Sequence, residues 1–174
     1  MRRLLLLRHA KAERAQPGER DQDRVLAVRG RADAKKLGAY LVRHAFVPDR
    51  AVVSTAARTR ETWTQVAQAF AAPPPVDFDE RIYDAAPQAI LETIKETDPQ
   101  TGTLIMIGHN PGIQELASML VATGEIDARE RLGEGFPTSA LALITFALAD
   151  WSSLHARAGR LEHFITPQWL ETAD

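Results

Sequence analysis

Apolar residues fall along this chain in two rhythms. Short unbroken runs occur at Leu4-Leu5-Leu6-Leu7, at Ala51-Val52-Val53 and at Leu104-Ile105-Met106-Ile107. Runs of this length suit strands covered on both faces of a sheet. Between them, apolar positions recur every three or four residues. Ala34, Leu37, Leu41 and Ala45 form such a stripe, with Asp33, Lys35 and Lys36 off it, and predict a helix over residues 30–45. A second helix is expected over residues 55–71, stopped by Pro73-Pro74-Pro75, which cannot continue one. Pro87 suits the first turn of a third, over residues 87–97. The strand over residues 103–107 leads into a helix over 111–122, with Ile113, Leu116, Leu120 and Val121 inward. Residues 76–78 predict a brief edge strand, and residues 141–148 and 160–165 the last two strands. Residues 13–24 are polar, contain Pro17-Gly18, and read as a loop.

Strand and helix alternate through most of this pattern. Alternation predicts an α/β layered fold around a mostly parallel sheet. The last two strands are joined by about a dozen residues without a strong helical signal, a length suited to antiparallel pairing, so the sheet is expected to be mixed. No repeat or linker divides the chain. At 174 residues, the expectation is a single domain over 1–174 with a substantial core.

Composition narrows the partners. A formal net charge of −2 gives no global field to recruit nucleic acid or a membrane surface. The absence of cysteine excludes disulfides, thiolate chemistry and Cys-based metal sites. Arg2 and Arg3 are followed by only four leucines before Arg8, too few for a signal segment or a membrane span. The expectation is a soluble, cytoplasmic protein. Nothing in the sequence sets an oligomeric state, and a monomer is compatible with it.

Three segments carry candidate chemistry, each at the end of a predicted strand. In α/β sheets, ligands bind outside the carboxyl ends of strands. The first is Arg8-His9-Ala10. A neutral imidazole can attack phosphorus, and a guanidinium presents a planar fork that matches phosphate oxygens. The second is Ser54-Thr55-Ala56-Ala57-Arg58-Thr59-Arg60-Glu61-Thr62. Ser54 or Thr55 is a candidate helix cap, which places Arg58 near the first turn. The helix dipole disfavours a cation there, unless an anion shares the site. Arg60 reads as a solvated arginine, paired with solvent or an acidic neighbour. The third is Gly108-His109-Asn110-Pro111-Gly112, with Asn110 as cap, Pro111 as first helical residue and His109 at a helix N-terminus, a natural anion site. His44, at a helix end, His155 and His163 have no comparable context. No two histidines have metal-site spacing, so no metal or cofactor is expected.

In this order, the three segments resemble the histidine phosphatase superfamily, the phosphoglycerate-mutase-like fold. The finer resemblance is to the short SixA-type phosphohistidine phosphatases. It is carried by Arg8-His9-Ala10-Lys11-Ala12, Asp23-Arg24-x-Leu26 with Gly30, Gly108-His109-Asn110-Pro111 and Phe136-Pro137-Thr138-Ser139-Ala140, and spans residues 4–146. The resemblance implies a three-layer α/β/α sandwich. It implies that His9 is a nucleophile that becomes phosphorylated, and that Arg8, Arg58 and His109 bind the phosphoryl oxygens. The implied substrate is a phosphorylated protein bearing phosphohistidine. A small phosphorylated metabolite, or phosphate binding without turnover, is the alternative. Ala10 stands where the superfamily has glycine, so the backbone there should avoid positive φ. The mutase-like branch has an acidic proton donor about where Glu80 lies, and Asp84 is a second candidate. Residues 11–23 and 124–138 are the expected loops around the pocket.

Overall fold

The computed structural model describes residues 1–173. The first strand, β1 (Arg2–Arg8), sets the architecture. All four of its leucines are inaccessible to solvent, but they face opposite ways. Leu4 and Leu6 pack into one core, Leu5 and Leu7 into the other, as the alternation of side chains along a strand dictates. Apolar groups on both faces need cover on both sides, and helices provide it.

The remaining elements follow in chain order: α1 (Val28–Arg43), β2 (Arg50–Val53), α2 (Ala57–Ala67), β3 (Val76–Phe78), α3 (Pro87–Lys95), β4 (Thr103–Gly108), α4 (Gly112–Leu120), β5 (Val121–Gly124), α5 (Ile126–Glu134), β6 (Leu141–Phe146), β7 (Gly159–Ile165) and α6 (Pro167–Thr172). One seven-stranded sheet has the order β3-β2-β4-β1-β6-β7-β5. β1, β2, β3 and β4 pair in parallel; β6 pairs antiparallel with both β1 and β7, and β5 runs parallel to β7. The core beneath Leu4 and Leu6 takes residues from α3, α4 and α5; that beneath Leu5 and Leu7 takes them from α1 and α2, with Leu170 of α6 at its margin. The fold is a three-layer α/β/α sandwich with a mixed, mainly parallel sheet. No helix among the described residues is long and apolar enough to cross a membrane.

This arrangement brings the three chemical segments together. β2, β4 and β1 are neighbours and run the same way, with Arg8 opposite Gly108 and Val53 opposite Ile107. Their carboxyl ends therefore release Ser54, His9 and His109 side by side. Two glycines allow helices to close around this edge. A Cβ on Gly30 would lie 2.1 Å from the Lys11 carbonyl oxygen, and one on Gly112 would lie 2.2 Å from that of Ala85.

The sheet differs from the expectation at its β5 edge. The helix expected over residues 111–122 ends at Leu120, and Val121, instead of continuing the helical stripe, opens β5. The expected loop over 124–138 contains α5. Only Ala128 and Leu132 of α5 are buried, at an i, i+4 spacing too sparse to register as a stripe, and the Glu125 side chain caps it by accepting from the Asp127 and Ala128 amides. α6 was not expected either; Thr166 caps it by accepting from the Trp169 amide. Neither Ser54 nor Thr55 is the cap of α2. That position is Ala56, whose methyl cannot cap, and the Ser54 hydroxyl lies 2.7 Å from His109 Nε2. α4 begins one residue later than expected, with Pro111 at the cap and Asn110 Oδ1 accepting from the Gln114 amide at 3.2 Å.

Candidate active site

The turn after β1 is fixed from three directions. The His9 amide donates to the Gly108 carbonyl, the Ser139 amide reaches the Arg8 and His9 carbonyls, and the Ala10 amide donates to Thr62 Oγ1 at 3.0 Å. Thr62 lies one helical turn beyond Arg58 and donates to its carbonyl. One side chain thus ties α2 to the residue after His9. Ala10 is fully buried and is not among the residues with positive φ, as its Cβ requires. His9 Nδ1 is 2.8 Å from the Ala10 carbonyl oxygen. A carbonyl only accepts, so Nδ1 carries the proton and Nε2 keeps its lone pair.

Arg58, on the first turn of α2, is 3 % exposed. The anion that its position called for is part of the protein. Arg58 Nη1 donates to the Asp21 carbonyl at 2.9 Å and Nη2 to Asp21 Oδ2 at 3.0 Å. Arg24 and the Tyr83 hydroxyl also donate to the Asp21 carboxylate. Nη2 reaches His109 Nδ1 as well, at 3.3 Å. His109 Nε2 is 2.7 Å from Ser54 Oγ, and the His9 and His109 ring centroids are 5.5 Å apart. Arg8 donates from Nη1 to the Phe136 carbonyl at 2.9 Å. The Nε groups of Arg8 and Arg58 are buried without a partner among the described residues.

Arg8, His9, Arg58 and His109 line an open cleft of about 400 Å³, together with Lys11, Arg24, Asp21, Asp84, Asn110 and Thr138. A second cavity of about 470 Å³ adjoins it, sharing Lys11 and Thr138. Both imidazoles are held neutral. Burial, opposed by the bond to Ala10 and reinforced by Arg58 and Arg8, lowers His9 to about 4. Burial, then Arg58 and His9, lowers His109 to about 3. The hydrogen bond from Tyr83, with those from Arg24 and Arg58, holds Asp21 down at about 2 against its partial burial.

The structure therefore gathers Arg8, His9, Arg58 and His109 at one cleft. Glu80 is not there. It sits on a short 3-10 turn, Glu80–Ile82, exposed and off the cleft lining. Asp79 caps that turn from the Arg81 amide, and Arg81 bonds Asp79 and Glu96, so the turn is anchored away from the cleft. The carboxylate from this segment that reaches the cleft is Asp84, with Oδ1 3.6 Å from His109 Nδ1 and 3.9 Å from Arg58 Nη2. Arg60 lies outside, as expected, but its partner is neither acidic nor solvent alone. It donates to the Thr55 carbonyl, and its guanidinium stacks 4.1 Å from the Phe78 ring centroid. His44 caps the C-terminus of α1, His155 is exposed and His163 lies on β7. Asp21 and Tyr83 are the site residues that sequence reasoning missed. The misplaced cation Arg58 was the one signal that an anion should be sought.

The family pattern of the histidine phosphatase superfamily (branch 1) matches residues 4–116. The chain belongs to that superfamily and is a histidine-type phosphatase, a hydrolase of phosphoric esters. Within it, the chain is of the SixA type. A solved structure from Agrobacterium tumefaciens, assigned as phosphohistidine phosphatase SixA, is 31 % identical and superposes with a TM-score of 0.81, over 95 % of this chain and 98 % of that one. Another with the same assignment, from Nakamurella multipartitia, is 28 % identical with a TM-score of 0.83, over 95 % and 96 %. An uncharacterized protein of Mycobacterium tuberculosis is 34 % identical over 165 residues, 93 % of this chain and 100 % of that one.

Proposed function

We propose that this chain, acting as a single domain over 1–174, removes the phosphoryl group from protein phosphohistidine by way of a phosphorylated His9. The bare Nε2 of His9 attacks phosphorus and the new N–P bond replaces the P–N bond of the substrate. The departing imidazole takes a proton from the solvent-open cleft, and water then hydrolyses the phosphoryl from His9. Arg8, Arg58 and His109 hold the phosphoryl oxygens during both transfers.

One observation carries the choice of substrate: among the described residues the cleft lining holds two carboxyls, Asp21 and Asp84, and both face the Arg58 guanidinium instead of standing free to donate a proton. Asp21, lowered to about 2, stays ionised, and Glu80 lies off the cleft. An imidazole is a far better leaving group than an alkoxide and needs less acid help. Asp84 supports a second reading, as the acid of a small-molecule phosphomonoesterase, because it alone of the Glu80–Asp84 segment lines the cleft.

A rate comparison separates the two. On a phosphohistidine protein, kcat/KM is expected to exceed that on alkyl phosphates by about 100-fold or more, the size of the missing acid contribution. Glu80→Gln should change neither rate. Asp84→Asn should lower the alkyl phosphate rate more than the phosphohistidine rate. Fast alkyl phosphate turnover that collapses in Asp84→Asn would replace the first reading with the second.

The pH dependence follows from the same geometry. His9 must be neutral to attack, and its ionisation is lowered from 6.5 to about 4, so lowering the pH from 7 to 5.5 leaves it neutral. The acid limb of kcat/KM is expected near pH 4–5. Stability has the opposite tendency in that window. The unfolded chain binds protons at His9 and His109 near pH 6.5 and the folded chain does not, so stability falls on acidification from about 6.5. Circular dichroism at each pH distinguishes unfolding from titration. An acid limb centred at 6.5 in folded protein would mean that burial and the arginines do not act on His9.

A further inference from the structure

Ser54 leaves β2 beside the exit of β4, with its amide donating to the Ile107 carbonyl. That register puts its hydroxyl 2.7 Å from His109 Nε2 in a place closed to solvent, since Ser54 is fully buried and His109 is 3 % exposed. The opposite edge of the ring faces the cleft. There Nδ1 lies 3.3 Å from Arg58 Nη2 and 3.6 Å from Asp84 Oδ1. A guanidinium only donates. Nδ1 is therefore the acceptor, the ring proton is on Nε2, and Ser54 Oγ receives it. The Tyr83 ring packs edge-on at 5.3 Å from the imidazole centroid. Helix capping does not compete for the hydroxyl, since the Ala56 amide is at 3.5 Å, the limit of a hydrogen bond.

We propose that Ser54 is the positioning residue of His109. Its hydroxyl holds the Nε2–H tautomer and so keeps a bare Nδ1 on the cleft side, where it can take a proton and donate to a phosphoryl oxygen. This rests on the reading of His109 as a phosphoryl-binding group. In the free protein the ring carries one proton, on Nε2. When an oxyanion binds, its charge favours the imidazolium, and Nδ1 takes a second proton from the solvent-open cleft. Both nitrogens then donate, Nε2 to Ser54 and Nδ1 to the oxyanion. Without the hydroxyl, Nε2–H is a buried donor with no partner. The proton then moves to Nδ1, where it meets the donor face of Arg58, and the two groups that must share one oxyanion repel each other.

The test uses protein with ¹⁵N-labelled histidine and orthovanadate as the probe, with His109 signals assigned by their loss in His109→Gln. In the unsubstituted protein, Nε2 is expected to be protonated throughout, and Nδ1 bare until vanadate protonates it. Ser54→Ala should give mixed or inverted tautomers, weaker vanadate binding and a kcat/KM about 10–100-fold lower, the scale of one buried donor left unpaired. Ser54→Cys, close in size but a poor acceptor, should do the same if the alanine variant is unstable. Ser54→Thr should restore the tautomer and most of the rate. A purely structural role would lower the melting temperature and leave the tautomer alone. Unchanged ¹⁵N shifts and vanadate affinity in folded Ser54→Ala or Ser54→Cys would overturn the assignment of Ser54. A His109 that ignores vanadate in the unsubstituted protein would instead overturn its phosphoryl-binding role, and the inference with it.

Discussion

Quenching a single turnover with a phosphorylated substrate is expected to trap the phosphoryl group on His9 Nε2. The competing nucleophiles at this edge of the sheet are each disqualified by a contact. Ser54 is fully buried and its hydroxyl is taken by His109. His109 presents Nδ1 to the cleft, but Arg58 donates to that lone pair. His9 alone has its proton held on the far nitrogen, by the Ala10 carbonyl, and a free lone pair at the cleft. Its ionisation, lowered to about 4, keeps that lone pair available at neutral and mildly acidic pH. The label should be lost in acid and kept in base, as for a phosphoimidazole, and mass spectrometry should place it on His9. His9→Ala should lower kcat by about 10⁴-fold or more, the usual result of deleting a nucleophile whose partners act only through it. Phosphate recovered on Ser54, Thr55 or His109 would end this mechanism.

How far the sequence reached depends on how locally each feature is encoded. The central strands are legible because a buried parallel strand is a contiguous apolar run, and Leu4 to Leu7 and Leu104 to Ile107 can be little else. The groups at the cleft are legible because Arg8-His9 and His109 come at the ends of such runs and Arg58 on the first turn of the helix after β2, so their meeting needs only adjacent parallel strands. Asp21 is different. It lies 37 residues from Arg58 in a polar loop with several acidic neighbours, and only the packing of that loop over α2 selects it. Glu80 and Asp84 show the same limit on a smaller scale. Both fall in one acidic segment, and which reaches the cleft depends on a turn anchored by Arg81 to Asp79 and Glu96. At the other edge of the sheet, β5 and α5 escaped because neither buries enough apolar surface to imprint a period on the sequence. Val121 fits the helical stripe of α4 as well as it fits a strand, and tertiary pairing with β7 decides between them.

The Asp21–Arg58 pair bears directly on the second large effect, the loss of the anion clamp. Arg58→Ala should lower kcat/KM by about 30- to 1000-fold, corresponding to about 2–4 kcal/mol of transition-state stabilisation. Two consequences of the same deletion act together. The phosphoryl oxygens lose the Arg58 guanidinium, and the Asp21 carboxylate, left with Arg24 and Tyr83 as donors, stays in the cleft as a like charge. Arg58→Lys should recover little, because an ammonium cannot span Asp21, His109 and an oxyanion with fixed planar donors. Asp21 is nearly half exposed, so its ion pair with Arg58 is screened and contributes little to stability. The loss should therefore appear in rate and in vanadate affinity more than in melting temperature. Arg60→Ala is the control. Its guanidinium lies on the Phe78 ring outside the cleft, so its removal should leave kcat/KM within about threefold, in keeping with an exposed cation–π contact of about 0.5–1 kcal/mol. Equal losses at Arg58 and Arg60 would place the wrong face of α2 toward the substrate. A loss confined to Arg58 that Asp21→Asn partly reverses would show that the uncompensated carboxylate, and not only the missing donor, sets the size of the defect.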